Sequence, residues 1–280
     1  MKISIDISEK RKRQCKKLIE ISKAIVLETF EKFGDDEIGI TWTGGKDSTL
    51  TLWIIREVCI EKDIPIPKTM IIGEGDEFEE IEDFVNAYQK SWDLPLEWCR
   101  NEDVLKAADF KLGAMIKVGD LNERNQTELE LIGVNDAVFP FEAESYIGNH
   151  LMKTVVFNEW LEKNQIKSVF QGIRWDEHEA RFNDSYFELK KSTELSPEHT
   201  RVRPILHFTE KDLWDTYAAF EIPCCALYEQ GYRSLGAKTS SVKISDIPAW
   251  EQELENTEER SGRHREKEEA MSQLRALGYM

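Results

Sequence analysis

Apolar residues recur along the chain at two spacings, one typical of helices and the other of buried strands. Short, mainly apolar runs predict four strands that enter a core, at residues 38–42, 68–72, 96–99 and 168–172. Apolar residues at helical spacing predict amphipathic helices at residues 8–33, 48–56, 77–93, 151–164 and 209–220. This alternation predicts an α/β fold with a doubly wound, mostly parallel sheet and helices on both faces.

One junction between a strand and a helix carries chemistry, the sequence Thr-Gly-Gly-Lys-Asp-Ser at residues 43–48. Its two glycines allow φ > 0 and a close approach of a ligand to the backbone. The free amide groups and the dipole at the start of the next helix attract anions. Lys46 adds a positive charge, and Ser48 could cap the helix or bond a phosphate. The alternative is an ordinary turn with a capping serine, but six residues in this order favour an anion site.

The charge balance limits the classes of partner. The 280 residues include 54 acidic and 37 basic residues, for a net charge of −17. This balance disfavours nucleic acid as a partner, and it means that a polyanionic ligand needs a local cluster of Lys and Arg. The first residues lack the apolar segment of a signal peptide, and no apolar run reaches the length of a membrane span. Five scattered cysteines fit a reducing compartment, so we expect a cytoplasmic protein with no membrane association.

A second group of charged residues follows the predicted strand at 168–172. The stretch Gly172–Arg181 contains Arg174 and Arg181 together with several acids. The carboxyl ends of parallel strands share one edge, so we expect both arginines to face the same pocket as the loop at 43–48. Arginine suits phosphate and sulfate oxygens, although salt bridges with the neighbouring acids are the alternative. The histidines do not have the spacing of metal ligands, so no metal site is predicted.

The loop resembles the PP-loop, Ser-Gly-Gly-Lys-Asp-Ser, of the ATP pyrophosphatases, with Thr43 in place of the first serine. Further stretches occur in the order seen in the PAPS reductase family, at His150–Thr154, Gly172–Glu177, Arg201–Pro204 and Gly231–Gly236. The tail residues 259–263 and 277–280 look most like those of the small, ATP-cleaving subunit of heterodimeric sulfate adenylyltransferase. The resemblance runs from about residue 30 to the end, apart from residues 103–148.

The resemblance implies an adenine nucleotide alpha hydrolase-like fold, with ATP and Mg²⁺ as cofactors. An acidic oxygen of an acceptor attacks the α-phosphate of ATP, and pyrophosphate leaves into the loop. The residues expected to act in catalysis are Lys46, Arg174 and Arg181. The residues expected to bind the nucleotide or the acceptor are Thr43, Gly44, Gly45, Asp47, Ser48, Lys153, Gly172 and Asp176.

The sequence does not decide which oxyanion accepts the AMP group. Sulfate is the first hypothesis, with adenylation for sulfur transfer or flavin adenylylation as alternatives. A non-catalytic nucleotide-binding subunit is a further alternative, because Gly73-Glu74-Gly75 replaces the Asp-Thr-Gly of relatives. The chain has no cysteine beyond Cys225, which argues against thiol-dependent reduction. If sulfate is the substrate, its uphill activation implies a GTPase partner subunit; a homo-oligomer is the other assembly left open.

The expected organisation is a nucleotide-binding α/β domain over residues 1–236. Within it, residues 103–148 are expected to be an irregular insertion or a lid, because glycines interrupt any long helix there. Residues 237–280 are expected to form a helical extension, since the stretch from Trp250 onward is dense in Glu, Arg and Lys.

Overall fold

The computed structural model describes residues 1, 3 and 5–259, which are organised by one six-stranded sheet. The strands of the chain are β1 (Ile38–Thr41), β2 (Lys68–Ile72), β3 (Leu96–Cys99), β4 (Met115–Lys117), β5 (Val138–Pro140), β6 (Ser168–Phe170), β7 (Phe187–Lys190) and β8 (His199–Val202). The large sheet has the order β3-β2-β1-β6-β8-β7, and all neighbours in it are parallel except β7 and β8. Strands β4 and β5 form a separate antiparallel pair.

The helices surround this sheet. They are α1 (Glu9–Lys32), α2 (Lys46–Lys62), α3 (Glu79–Ser91), α4 (Glu102–Ala107), α5 (Glu123–Leu131), α6 (Tyr146–Asn149), α7 (Val156–Asn164) and α8 (Glu210–Ala219). One wider turn, the π-helical segment His150–Val155, joins α6 to α7. Helix α8 begins with a reciprocal cap, in which Thr209 and Asp212 each accept from the other's backbone N–H. None of the helices in the described part of the chain combines the length and apolar character that a membrane crossing requires.

The two faces of the sheet are covered by different helices, which confirms the doubly wound arrangement. Successive strand residues point to opposite faces. Ile38 and Ile40 of β1 therefore join the large core that also contains buried residues of α1, α2, α3 and α8. Met70 and Val169 point the other way and pack with Trp160 of α7.

Gly39 is the point where α7 approaches the sheet most closely. A Cβ atom at Gly39 would lie 2.3 Å from the Cη2 atom of Trp160, so only glycine leaves room for the indole ring. This close approach lets α7 cover β1 on the second face of the sheet. On the same face, the neighbouring strands β2 and β6 carry the apolar side chains of Met70 and Val169.

Residues 103–148 are more regular than the sequence indicates. They contain most of α4, the helix α5 and the β4–β5 pair, which pack around a small core of their own. That core includes Ile116, Leu129 and Phe139, and it continues onto Leu151 and Val155 of the π-helical turn. The apolar residues here lie on elements of three to nine residues, which are too short to show a clear period.

The predicted helical extension is wrong for the described part of residues 237–280. Only short 3₁₀ turns occur there, at Lys238–Ser240 and Ala249–Glu251. The ring of Trp250 packs edge-on against that of Trp214, 5.7 Å away between centroids, so the segment is held by long-range contacts. Residues 260–280, which carry the rest of the predicted helix and most of the tail motif, lie outside the described residues.

We predict that Gly39→Ala lowers the free energy of unfolding by about 1–3 kcal/mol, because the new methyl group overlaps the ring of Trp160. Urea denaturation measures the change. Gly119→Ala is the matched control, since a Cβ atom there meets nothing within 4 Å. Adding Trp160→Phe, which removes the overlapping part of the ring, should restore part of the loss; equal stability of Gly39→Ala and the parent would contradict the packing argument.

Candidate active site

The PP-loop lies at the place where the order of the sheet reverses. From β1 the chain proceeds to β2 and β3 on one side, whereas β6 and β8 lie on the other side. Ligands of such sheets bind outside the carboxyl ends of the strands at this reversal. The loop after β1 and the residues after β6 border a cavity of about 250 Å³ there.

The cavity brings together most of the residues that the sequence nominates. Those that line it are Thr43, Gly45, Lys46, Asp47, Ser48, Lys153, Gly172 and Arg181. Three nominated residues are not among its lining: Gly44, Arg174 and Asp176. The nominated residues that line the cavity thus come from three stretches that are distant in sequence: the loop at 43–48, Lys153, and the residues from Gly172 to Arg181.

The loop is closed by its own hydroxyl groups. The N–H of Thr43 donates to Ser48 Oγ at 3.1 Å, and the two hydroxyls lie 3.0 Å apart. Ser48 Oγ in turn donates to the carbonyl of Gly45 at 3.1 Å. Ser48 thus fastens the loop rather than capping α2, whose first residues follow Gly45 with no side-chain cap. Threonine at position 43 keeps the hydroxyl that this closure uses.

Two glycines allow the close backbone contacts around the loop. Gly44 has φ of 72°, a conformation that disfavours side chains. A Cβ atom at Gly172 would lie 2.5 Å from the backbone N and Cα atoms of Ser48. The strand extension after β6 therefore packs directly on the start of α2. This contact explains why Gly172 belongs to the site although it has no side chain.

Lys46 is buried at the first position of α2 and is surrounded by acceptors. Its Nζ atom lies 2.5 Å from Glu259 Oε1, 3.0 Å from the carbonyl oxygen of Arg233 and 3.4 Å from Asp47 Oδ2. Burial by itself would lower the pKa of Lys46, but the charges of Asp47 and Glu259 outweigh it and raise the pKa. The lysine is therefore a fixed positive charge.

Arg174 lies behind the loop, fully buried, and it organises the surrounding acids. Its Nε donates to Asp47 Oδ1 at 2.5 Å, and its other two nitrogens donate to Asp176 and Glu259. Although burial opposes ionisation of Asp47, the charges of Arg174 and Lys46 lower the pKa of this carboxyl to about 2. Asp176 also accepts from the N–H of Glu210 at 2.7 Å, at the start of α8. Arg174 thus joins the loop to α8 instead of reaching into the cavity.

The two remaining cations stand at the cavity wall. Arg181 pairs with Glu177 at 3.4 Å, and both residues line the cavity. Lys153 comes from the π-helical turn and pairs with Glu74 at 2.8 Å and Glu144 at 3.0 Å. Wider turns of this kind are frequent at functional sites. Both cations could meet an anion in the cavity, in exchange for part of their contacts with these acids.

The stretch that replaces Asp-Thr-Gly also borders the cavity. Glu74 and Asp76 both line it, and Asp76 Oδ2 accepts from the N–H of Thr239 at 3.0 Å. Both carboxylates are thus within reach of a ligand in the cavity. Across the described residues, no group of three or more His, Cys, Asp or Glu side chains is arranged to hold a metal ion.

Sequence reasoning missed the residues that hold Lys46. The hydroxyl of Tyr228 accepts from the N–H of Lys46 at 2.8 Å, and Tyr217 donates to its carbonyl oxygen at 2.5 Å. No spacing in the sequence connects these tyrosines to the loop. Glu259 and Arg233 do stand in stretches that resemble the family, so those motifs were a signal, but they indicate no role.

Residues 37–243 match the sequence profile of the phosphoadenosine phosphosulfate reductase domain, which is most of the chain. The chain belongs to this family. The matched residues include the loop at 43–48 and all six strands of the large sheet.

Curated relatives differ in their stated activities. The chain is 29% identical to "Sulfate adenylyltransferase subunit 2" of Brucella anthropi over 148 residues, 44% of this chain and 48% of that protein. It is 27% identical to "Probable FAD synthase" of Caenorhabditis elegans over 225 residues, 79% of this chain and 33% of that protein. The chain thus spans about half the length of the first relative and a third of the second.

Solved structures share the fold. An FMN adenylyltransferase of Candida glabrata, in complex with FAD and inorganic pyrophosphate, superposes with a TM-score of 0.61 at 19% identity, over 93% of this chain and 78% of that one. A phosphoadenylyl-sulfate reductase of Candida auris superposes with a TM-score of 0.55 at 14% identity, over 86% of this chain and 100% of that one.

We predict that the stabilising effect of Asp47 depends on pH. Because its pKa is lowered from 3.8 to about 2 on folding, its contribution is fully present above about pH 5 and is lost as the pH falls through 2. Urea denaturation of the parent and of Asp47→Asn should show a difference of about 2 kcal/mol at pH 6 that shrinks by about half at pH 3. The exposed Asp83→Asn is the control; a difference that does not change with pH would refute the assignment.

Proposed function

We propose that this protein transfers AMP from ATP to an anionic oxygen acceptor and releases pyrophosphate. The observation that carries the proposal is the PP-loop at the reversal point of the sheet, with Lys46 at the first turn of α2 and a cavity beside it. The amide groups and dipole of this helix start favour phosphate. The relatives with stated nucleotidyl-transfer activities support the same reaction class.

In the proposed reaction, an acceptor oxygen forms a bond to the α-phosphorus of ATP while the bond from that phosphorus to the bridging oxygen breaks. The bridging oxygen keeps the electron pair and leaves as part of pyrophosphate. The backbone of residues 44–48 and Lys46 would hold the pyrophosphate, which fits a reaction that depends on positioning and charge stabilisation. Arg181 and Lys153, which line the cavity, would hold the acceptor or the α-phosphate.

Mg²⁺ would enter as the counterion of the triphosphate. Asp47, which lies in the loop and lines the cavity, would meet it there, and its lowered pKa keeps this carboxylate ionised. Asp47 Oδ1 also pairs with Arg174 and Oδ2 with Lys46, so a metal ion would share one of these oxygens with the cation that it already contacts. Hard oxygen ligands of this kind are those that Mg²⁺ prefers.

Sulfate is the first acceptor that we propose. It is a small dianion that two cationic side chains could hold. Several curated relatives are named as the second subunit of sulfate adenylyltransferase, and such a name implies further subunits in those proteins. With sulfate as substrate, a GTPase partner would supply the free energy for the uphill product.

Flavin mononucleotide is the second acceptor, and a different observation favours it. The FAD synthase relative matches 79% of this chain, a larger share than the 44% matched by the sulfate adenylyltransferase relative. The phosphate of the flavin would supply the attacking oxygen. The apolar residues of the carboxyl-terminal half of β2, Met70, Ile71 and Ile72, line the cavity and could contact a planar ring.

Exchange of labelled pyrophosphate into ATP tests both acceptors. The expected result is exchange that requires Mg²⁺ and either sulfate or flavin mononucleotide. The flavin product should accumulate, whereas the sulfate product should stay at trace level without the GTPase partner. Binding of ATP without exchange in any arm would instead identify a nucleotide-binding subunit. Absence of ATP binding would overturn the proposal.

We predict that Lys46→Met lowers kcat/KM for this exchange by about 10- to 150-fold, because a charge-assisted contact to phosphate contributes about 1.5–3 kcal/mol. Methionine keeps the length of the side chain and removes its charge. The substitution should also lower the melting temperature, since Glu259 loses a buried partner. Lys191→Met is the control for an exposed charge and Gly39→Ala the control for lost stability; exchange unchanged in Lys46→Met would remove Lys46 from the reaction.

A further inference from the structure

One carboxylate joins the two buried cations of the site. Glu259 Oε1 accepts from Lys46 Nζ at 2.5 Å, and Oε2 accepts from Arg174. The side chain of Glu259 is 5% exposed, and those of Lys46 and Arg174 are 2% and 0% exposed. The contact spans 213 residues of sequence and brings the far end of the described chain to the PP-loop.

The segment that carries Glu259 is fastened by Arg233. Its guanidinium donates to the carbonyl oxygens of Glu253, Leu254 and Thr257 at 3.0–3.3 Å, and it is buried against Glu210 at 2.7 Å. Five donors in a rigid fork make arginine suited to hold several backbone acceptors at once. The position of Glu259 is thus restrained by the hydrogen bond from Arg233 to Thr257, two residues earlier in the chain.

The contacts of Lys46 Nζ leave little freedom to its side chain. An ammonium group has three donors. Two of them go to Glu259 and to the carbonyl oxygen of Arg233, and the nearest remaining acceptor is Asp47, at 3.4 Å. A lysine side chain is otherwise flexible, so these two fixed bonds decide where the third donor points. Lys46 also lines the cavity, which is where that donor would be needed.

We infer that Glu259, anchored on the other side by Arg174, is a positioning residue of the phosphate site that fixes Lys46 beside the loop. The inference rests on the proposed function, because it assigns Lys46 to phosphate. It also assigns a role to the segment 249–259: this segment completes the site from outside the sheet. Phosphate binding therefore depends on the attachment of the segment through Arg233.

The competing role for Glu259 is to occupy the phosphate site in the absence of a ligand. A carboxylate between two cations resembles a bound anion, and a phosphate could displace it. The structure favours the positioning role, because withdrawal of Glu259 would leave two buried cations with fewer counterions, and because the bond from Arg233 to the carbonyl oxygen of Thr257 holds the adjoining chain in place. The two roles predict opposite effects of removing the charge of Glu259.

The full chain with Glu259→Gln tests the inference, with the exposed neighbour Glu258→Gln as the matched control. Glutamine keeps the shape of glutamate but has one acceptor oxygen, whereas Lys46 and Arg174 each donate to a separate oxygen of Glu259. We expect kcat/KM for pyrophosphate exchange to fall ~10- to 100-fold in Glu259→Gln and to change less than about twofold in Glu258→Gln. Calorimetry should show weaker binding of inorganic pyrophosphate in the first variant only.

Two further measurements separate positioning from a general loss of structure. Combined with Lys46→Met, Glu259→Gln should cost little more activity than Lys46→Met alone, because it acts through Lys46. Lysine-selective NMR should show a protected Lys46 ammonium signal in the parent that is lost in Glu259→Gln. Tighter pyrophosphate binding in Glu259→Gln, additive losses in the double variant or an unchanged Lys46 signal would each overturn the inference. A lost signal with exchange absent even in the parent would instead overturn the proposed function.

Discussion

The pairing of buried charges at the start of α2 is the constraint on which the site depends. A charge removed from water is tolerated only when partners and hydrogen bonds compensate it. Lys46 and Arg174 meet this requirement by sharing the carboxylates of Asp47 and Glu259, and Arg174 also binds Asp176. These five residues come from the loop, the extension of β6 and the last described segment. The cluster therefore ties three separate stretches of the chain to one point.

The same point depends on close contact between backbones. Gly172 lets the extension of β6 lie directly on Ser48, and Gly39 lets Trp160 cover β1 from the other face. Thr41 adds a hydrogen bond from its buried hydroxyl to the carbonyl of Phe170 at 3.1 Å. Strands β1 and β6 are thus held in close contact at the edge where the order of the sheet reverses. The loop thus rests on a fixed support and is closed by its own hydroxyl groups.

The charges of the site bear on how an acidic chain could attract a polyanion. With a net charge of −17, long-range steering does not favour a triphosphate. The cluster gives no local excess of positive charge either, because two cations face three carboxylates. Attraction would come instead from the amide groups of the loop, the dipole of α2, the cations Lys153 and Arg181, and the metal ion that accompanies the phosphates. The site therefore relies on short-range, directed interactions.

Local patterns in the sequence determined most of the elements. The strands at Lys68–Ile72 and Leu96–Cys99 follow from short apolar runs, and the start of α8 follows from the spacing of Thr209 and Asp212. The glycine loop likewise predicts an anion site, because its chemistry lies within six consecutive residues. Such features can be predicted because neighbours in sequence are also neighbours in space.

Only the tertiary structure decided how the charged residues are shared. Sequence alone placed Arg174 in the cavity and residues 250–259 in an exposed helix, whereas Arg174 lies behind the loop and Glu259 is buried against it. The contacts of Asp47 with Arg174 and of Lys46 with Glu259 span 127 and 213 residues. No period or motif encodes a partner at such a distance. The free energy of a buried ion pair depends on desolvation and geometry, and both exist only once the chain has folded.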